Sequence, residues 1–123
     1  MNVLLSIKPE FAEKIFSGEK LYEFRKSIFK NSSINKVIVY VSAPTKMVLG
    51  EFTFSQILHD EVSVLWEKTK EHSGISEDFY LDYFSKKECA YAIKIDKVVR
   101  YKRARSLKEY NINFPPQSFM YIA

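Results

Sequence analysis

Val3-Leu-Leu-Ser-Ile7-Lys-Pro9-Glu-Phe11-Ala12-Glu-Lys-Ile15-Phe16-Ser-Gly18-Glu-Lys20-Leu-Tyr22-Glu23-Phe24-Arg25 changes its hydrophobic period twice. Val3–Ile7 is a short, nearly continuous apolar run, suited to a buried strand. Pro9 fits the first turn of a helix, where a missing N–H leaves nothing unpaired. Phe11, Ala12, Ile15 and Phe16 then recur at helical spacing on one face. Gly18 falls where a helix end favours positive φ. Beyond it the period drops to two: Tyr22 and Phe24 share one face, Glu23 and Arg25 the other. The stretch predicts strand, helix, glycine stop, strand.

Outward from that unit, Lys36-Val-Ile-Val-Tyr40-Val-Ser42 is apolar on both faces, as a central strand is. Ser42-Ala-Pro-Thr45 is a loop. Met47–Leu58 predicts a strand with Val48, Phe52 and Phe54 facing in, and Gly50 within it signals a bulge or a close backbone approach. Val62, Leu65, Trp66 and Thr69 keep helical spacing up to a stop at Ser73-Gly74. Ser76 can cap a further helix, with Phe79, Tyr80, Tyr83 and Phe84 as its buried stripe. Cys89, Tyr91, Ile93 and Ile95 alternate again. Ser106-Leu-Lys-Glu109 has capping-box spacing and starts a short helix. After Pro115-Pro116 the chain is irregular, then extended. Strands outnumber helices and do not alternate with them strictly. The pattern predicts an α+β domain with a mostly antiparallel sheet or barrel, with helices over 9–17 and 61–85 around it.

Composition sets the outer bounds. The 123 residues fit one domain. Ten Phe, eight Tyr and one Trp argue against disorder. Charges interrupt every apolar stretch, so no membrane-spanning run of about 20 residues exists, and the N-terminal residues do not resemble a signal peptide. One cysteine, Cys89, and two histidines, His59 and His72, give neither an internal disulfide nor a zinc set. The expectation is a cytoplasmic protein without metal or cofactor. The net charge is +4, but it is uneven. Lys97-Val-Val-Arg100-Tyr-Lys102-Arg103-Ala-Arg105-Ser-Leu-Lys108 holds cations and no acid. Such a run can attract phosphates, or it can be a solvated strand end.

No phosphate loop, dinucleotide fingerprint, nucleophile elbow or paired-histidine motif occurs. The informative pattern is Gly18-x-Lys20-x-x-Glu23-x-Arg25, where a helix stops and a strand starts. Gly18 lets the backbone turn, Lys20 supplies a compact cation, and Glu23 and Arg25 project from one strand face. They suit a ligand, or a structural ion pair at a barrel mouth. With its flanks Leu5-Ser-Ile-Lys-Pro9, Tyr40-Val-Ser-Ala-Pro44, Gly50-Glu-Phe52 and Pro115-Pro-Gln-Ser-Phe119, the octet resembles the ASCH domain family, a branch of the PUA-like superfamily. The resemblance runs from about residue 3 to residue 121.

That resemblance implies one PUA-like β-barrel over 1–123 with a cleft, and a partner that is RNA or a modified nucleoside or nucleotide. The residues expected at the cleft are Lys8, Gly18, Lys20, Glu23, Arg25, Tyr40, Ser42, Gln117 and Ser118. Arg100, Lys102, Arg103 and Arg105 are expected to guide nucleic acid. The leading function is RNA or nucleotide binding. An enzymatic alternative is a small hydrolase, with Lys20 as base and Glu23 beside it. ASCH relatives resembling acetylcytidine amidohydrolases use the octet lysine, a threonine where this chain has Glu23, and a distant glutamate, for which Glu77 is available. Relatives resembling ribonucleases would use Lys20, Tyr22 or Tyr40, and Ser118. A protein-interaction role is compatible with the same features. Trp66 offers a stacking surface, but its helical spacing favours the core.

Overall fold

A computed structural model describes residues 1–123. The chain runs β1 (Asn2–Ile7), α1 (Pro9–Ser17), β2 (Tyr22–Arg25), β3 (Lys36–Val41), β4 (Met47–Glu61), α2 (Val62–Thr69), α3 (Glu77–Tyr83), β5 (Cys89–Arg105) and β6 (Phe119–Ile122). Single 3-10 turns at Lys70–His72 and Leu107–Tyr110 complete it. The predicted order holds throughout. Gly18 ends α1 at φ 85°, its N–H donating to Ile15 O. Ser76 Oγ accepts from Phe79 N to cap α3, and Ser106 and Glu109 form the capping box of the Leu107–Tyr110 turn.

The six strands form one sheet in the order β2-β5-β4-β3-β1-β6. Only β1 and β3 run parallel, connected through α1 and β2; every other pair is antiparallel. The expected barrel is not closed, because β2 and β6 each have one neighbour and do not pair with each other. The sheet nonetheless folds round. The pairing of β4 with β5 shifts register near Gly50, Phe52 and Phe54, and such bulges bend strands. Gly50 permits the close approach: a Cβ there would run into Val99 O and the Phe16 ring.

Two faces of the sheet are buried, so the central strands are apolar on both sides. Val3, Leu5 and Ile7 with Val37, Val39 and Val41 pack under Ala12 and Ile15 of α1. Leu4, Ile38 and Tyr40 pack on the other face with Val48, Ile112 and Ile122. A separate cluster holds α2 and α3 against the sheet through Phe24, Leu65, Trp66, Tyr80, Phe84, Ala90 and Ala92. Trp66 is core, as its spacing indicated. The stripe expected on α3 divides: Tyr80 and Phe84 are buried, whereas Phe79 is exposed and Tyr83 half-buried. The alternation expected in β5 also shifts, with Ala90 and Ala92 buried while Cys89 is exposed. No helix is long and apolar enough to cross a membrane.

Candidate functional site

The turn that ends α1 decides where Lys20 goes. Gly18 reverses the chain, Lys20 N donates to Lys14 O, and Leu21 N donates to His72 O. The side chain therefore runs beneath the Ser73-Gly74 turn rather than into solvent. Only 2% of Lys20 is exposed. Its Nζ donates to Ser73 O at 2.7 Å and sits 4.8 Å from the Phe24 ring centre and 5.5 Å from that of Phe11. Gly74, at φ 70°, makes this possible, because a Cβ there would lie 2.6 Å from Lys20 Cβ. Lys14 Nζ fastens the same turn through Gly74 O at 2.9 Å. Burial pushes the Lys20 ammonium down to about 8; the Glu23 carboxylate opposes that and Lys14 adds to it.

Two residues along β2, Arg25 Nη1 donates to Glu23 Oε2 at 3.0 Å, and both side chains are buried. Glu23 Oε1 has no protein donor. No fully enclosed side-chain polar atom lacks a partner, so this oxygen reaches solvent through the cleft. Arg25 also donates to Ser6 O at 3.3 Å, to Ser118 O at 3.1 Å and to Ser118 Oγ at 2.9 Å. One guanidinium thus spans the unpaired seam, from β2 to β1 and to the residue preceding β6.

The cleft lies at this seam, with a volume of about 540 Å³. Lys8, Lys20, Glu23, Arg25, Ser42, Gln117 and Ser118 all line it. The structure therefore gathers most of the expected site in one place. Gly18 stays outside the wall and acts through the turn. Tyr40 belongs to an adjoining recess of about 330 Å³ that shares Ser6, Ser42 and Gln117 with the cleft, and its ring is part of the core. Sequence reasoning missed Lys26, Phe79 and Tyr83 in the cleft and Lys46 in the recess. Helical spacing assigns Phe79 and Tyr83 to the core, but it does not say which of two apolar surfaces a helix covers. Lys46, at φ 54° after the Ser42–Thr45 loop, carried no signal.

None of Arg100, Lys102, Arg103 and Arg105 lines either cavity. Arg100 makes two 3.0 Å bonds to Glu13, and Arg103 Nη2 binds Glu109 at 2.8 Å. Arg105 donates to Tyr110 OH and stacks 3.8 Å over Tyr101. Lys102 is exposed with no carboxylate partner.

A family model for the ASCH domain matches residues 5–99. The chain belongs to the ASCH domain family. Within it, the chain is 33% identical over 124 residues to an ASCH domain-containing ribonuclease of Zymomonas mobilis, covering 98% of this chain and 84% of that one. A crystal structure of ASCH from Zymomonas mobilis superposes with a TM-score of 0.87 at 32% identity, covering 99% of this chain and 87% of that one. A form with one serine changed to alanine reaches 0.91 at 31% identity, covering 99% and 88%. The ASCH domain also matches a large ribosomal subunit protein of Ureaplasma parvum, at 34% identity over 125 residues; it spans 98% of this chain but only 39% of that protein.

Proposed function

We propose that this ASCH domain binds single-stranded RNA, with one nucleotide seated in the seam cleft. The observation that carries the reading is the wall of the cleft. Four cations, Lys8, Lys20, Arg25 and Lys26, face one carboxylate, Glu23, with the aromatic rings of Phe11, Phe79 and Tyr83 beside them. Cations suit phosphate, and aromatic faces suit an unstacked base. The volume lies within the range of roughly 300–1,000 Å³ typical of small-molecule sites. The name of the Zymomonas relative supports an RNA partner. Titration with labelled single-stranded oligonucleotides, adenosine monophosphate and acetylated cytidine tests it. Saturable binding that weakens in Lys8→Ala and Lys26→Ala is expected; no binding to any of them overturns it.

A second reading, RNA cleavage, is favoured by Lys20 and by the same relative's name. A lysine whose pKa burial pushes down to about 8 can act as a base at neutral pH. Its amine would take the proton of a ribose 2′-hydroxyl as that oxygen bonds to phosphorus. The P–O5′ bond would break, and the leaving oxygen would gain a proton from a hydroxyl such as Ser118. Lys20→Arg keeps a positive charge but cannot act as the base, since arginine stays protonated. Turnover should vanish while binding remains; turnover that survives in Lys20→Arg removes the catalytic lysine. Amide hydrolysis of acetylated cytidine is the weaker hydrolytic reading, because Glu23 stands in place of a hydroxyl residue.

The basic half of β5 supports long-range attraction rather than seating, since Arg100 and Arg103 already face carboxylates. Replacing Arg100, Arg103 and Arg105 by alanine should flatten the salt dependence of RNA binding by about 0.7 in log–log slope per phosphate whose charge the run neutralises. An unchanged slope makes the run a solvated surface.

A further inference from the structure

Phe114 is the most exposed large apolar side chain in the protein, at 82%. Its backbone is pinned on both sides. Two residues before it, Ile112 is buried with Leu4, Ile38 and Tyr40, and its N–H donates to Leu107 O. Two residues after it, Pro116 O accepts from Ser6 Oγ at 2.6 Å. Farther on, Ser118 O accepts from both Ser6 N and Arg25 Nη2. Two successive prolines, each with φ fixed by its ring, stiffen the span. The ring is thus held in water by an anchored segment.

Pro115, Pro116 and Gln117 are also walls of the recess that adjoins the cleft, with Lys46 in the same wall. Phe114 therefore stands one residue outside a recess that shares Ser6, Ser42 and Gln117 with the proposed nucleotide seat. We infer that Phe114 is a stacking platform for a base of single-stranded RNA, next to the nucleotide held in the cleft. The inference rests on the RNA reading above. A flat ring flanked by the exposed Asn113 and Pro115, beside a recess whose wall includes Lys46, suits a base and its phosphate. A protein interface would need a broader apolar patch at its centre.

The test uses fluorescence anisotropy with a labelled twelve-residue adenylate RNA, and calorimetry with adenosine monophosphate. Phe114→Ala should weaken the oligonucleotide roughly 5- to 150-fold, the range for loss of one aromatic stack. The same variant should leave monophosphate binding and the melting temperature unchanged. Phe114→Trp should restore oligonucleotide binding. Equal oligonucleotide affinity in wild type and Phe114→Ala overturns the stacking role while leaving the cleft reading intact. Failure of wild type to bind either probe overturns both.

Discussion

Lys20 puts an amine where a charge is costly, and this makes stability depend on pH in a stated direction. Its folded-state pKa is about 8, against roughly 10.4 for an unfolded lysine. Below pH 8 both states are protonated, and the desolvation cost, on the order of 3 kcal/mol, is fully present. Between about pH 8 and 10.4 the unfolded chain binds more protons, so stability rises with pH. Lys20→Met keeps the stem and removes the titration. Loss of the bond to Ser73 O offsets the variant equally at every pH, so the slope decides. Urea midpoints from pH 7 to 10.5 should rise in wild type relative to Lys20→Met. Parallel curves would mean that Lys20 titrates as an ordinary lysine. Gly18 and Gly74 give a second contrast at this scale. Both have positive φ, but a Cβ at Gly18 meets nothing within 4 Å, whereas at Gly74 it meets the Lys20 stem. Gly18→Ala should cost about 1–2 kcal/mol of backbone strain. Gly74→Ala should cost more, and should also shift the titration of Lys20 as followed by NMR of its side chain.

α3 has only seven residues, so its start matters. Ser76→Ala removes the cap on Phe79 N and should lower stability by about 1 kcal/mol. The loss should concentrate in hydrogen exchange of residues 77–83, the helix that carries Phe79 and Tyr83 to the cleft. At this scale most of the architecture was legible in the sequence, because the punctuation is local. Pro9, Gly18, Ser76 and the Ser106–Glu109 box act within one turn, and the period change at Gly18 is a property of adjacent residues. What was not legible depends on distance along the chain. Whether β2 would meet β6 and close a barrel is settled by sheet curvature accumulated over β4 and β5, which no single residue announces. The site divides in the same way. Lys20, Glu23 and Arg25 sit within one turn and strand and were readable together. Lys46, Phe79 and Tyr83 reach the two cavities only through tertiary packing.

Across the whole molecule, Arg25 takes the place of the missing strand pairing. Its bonds to Ser6 O and Ser118 link the two open ends of the sheet. Removing one partner of a buried ion pair costs about 3–5 kcal/mol. Arg25→Ala should therefore lower stability by that amount, and amide exchange of residues 118–122 should speed up more than that of β3. Uniform acceleration would mean that the seam is held elsewhere. At the far side of the sheet, Asn2 lies opposite Ile122 in the pairing of β1 with β6. The two ends of the described chain therefore leave from neighbouring points, away from the strand ends where Ser6 and Ser118 face the cleft. A short glycine-rich loop could join them, and a new break at the exposed Ser32-Ser33 turn should yield a circular permutant that still folds. The same neighbouring exits suit the domain to grafting into a surface loop of a host protein, since the host's chain would be parted by little more than the gap between two adjacent strands.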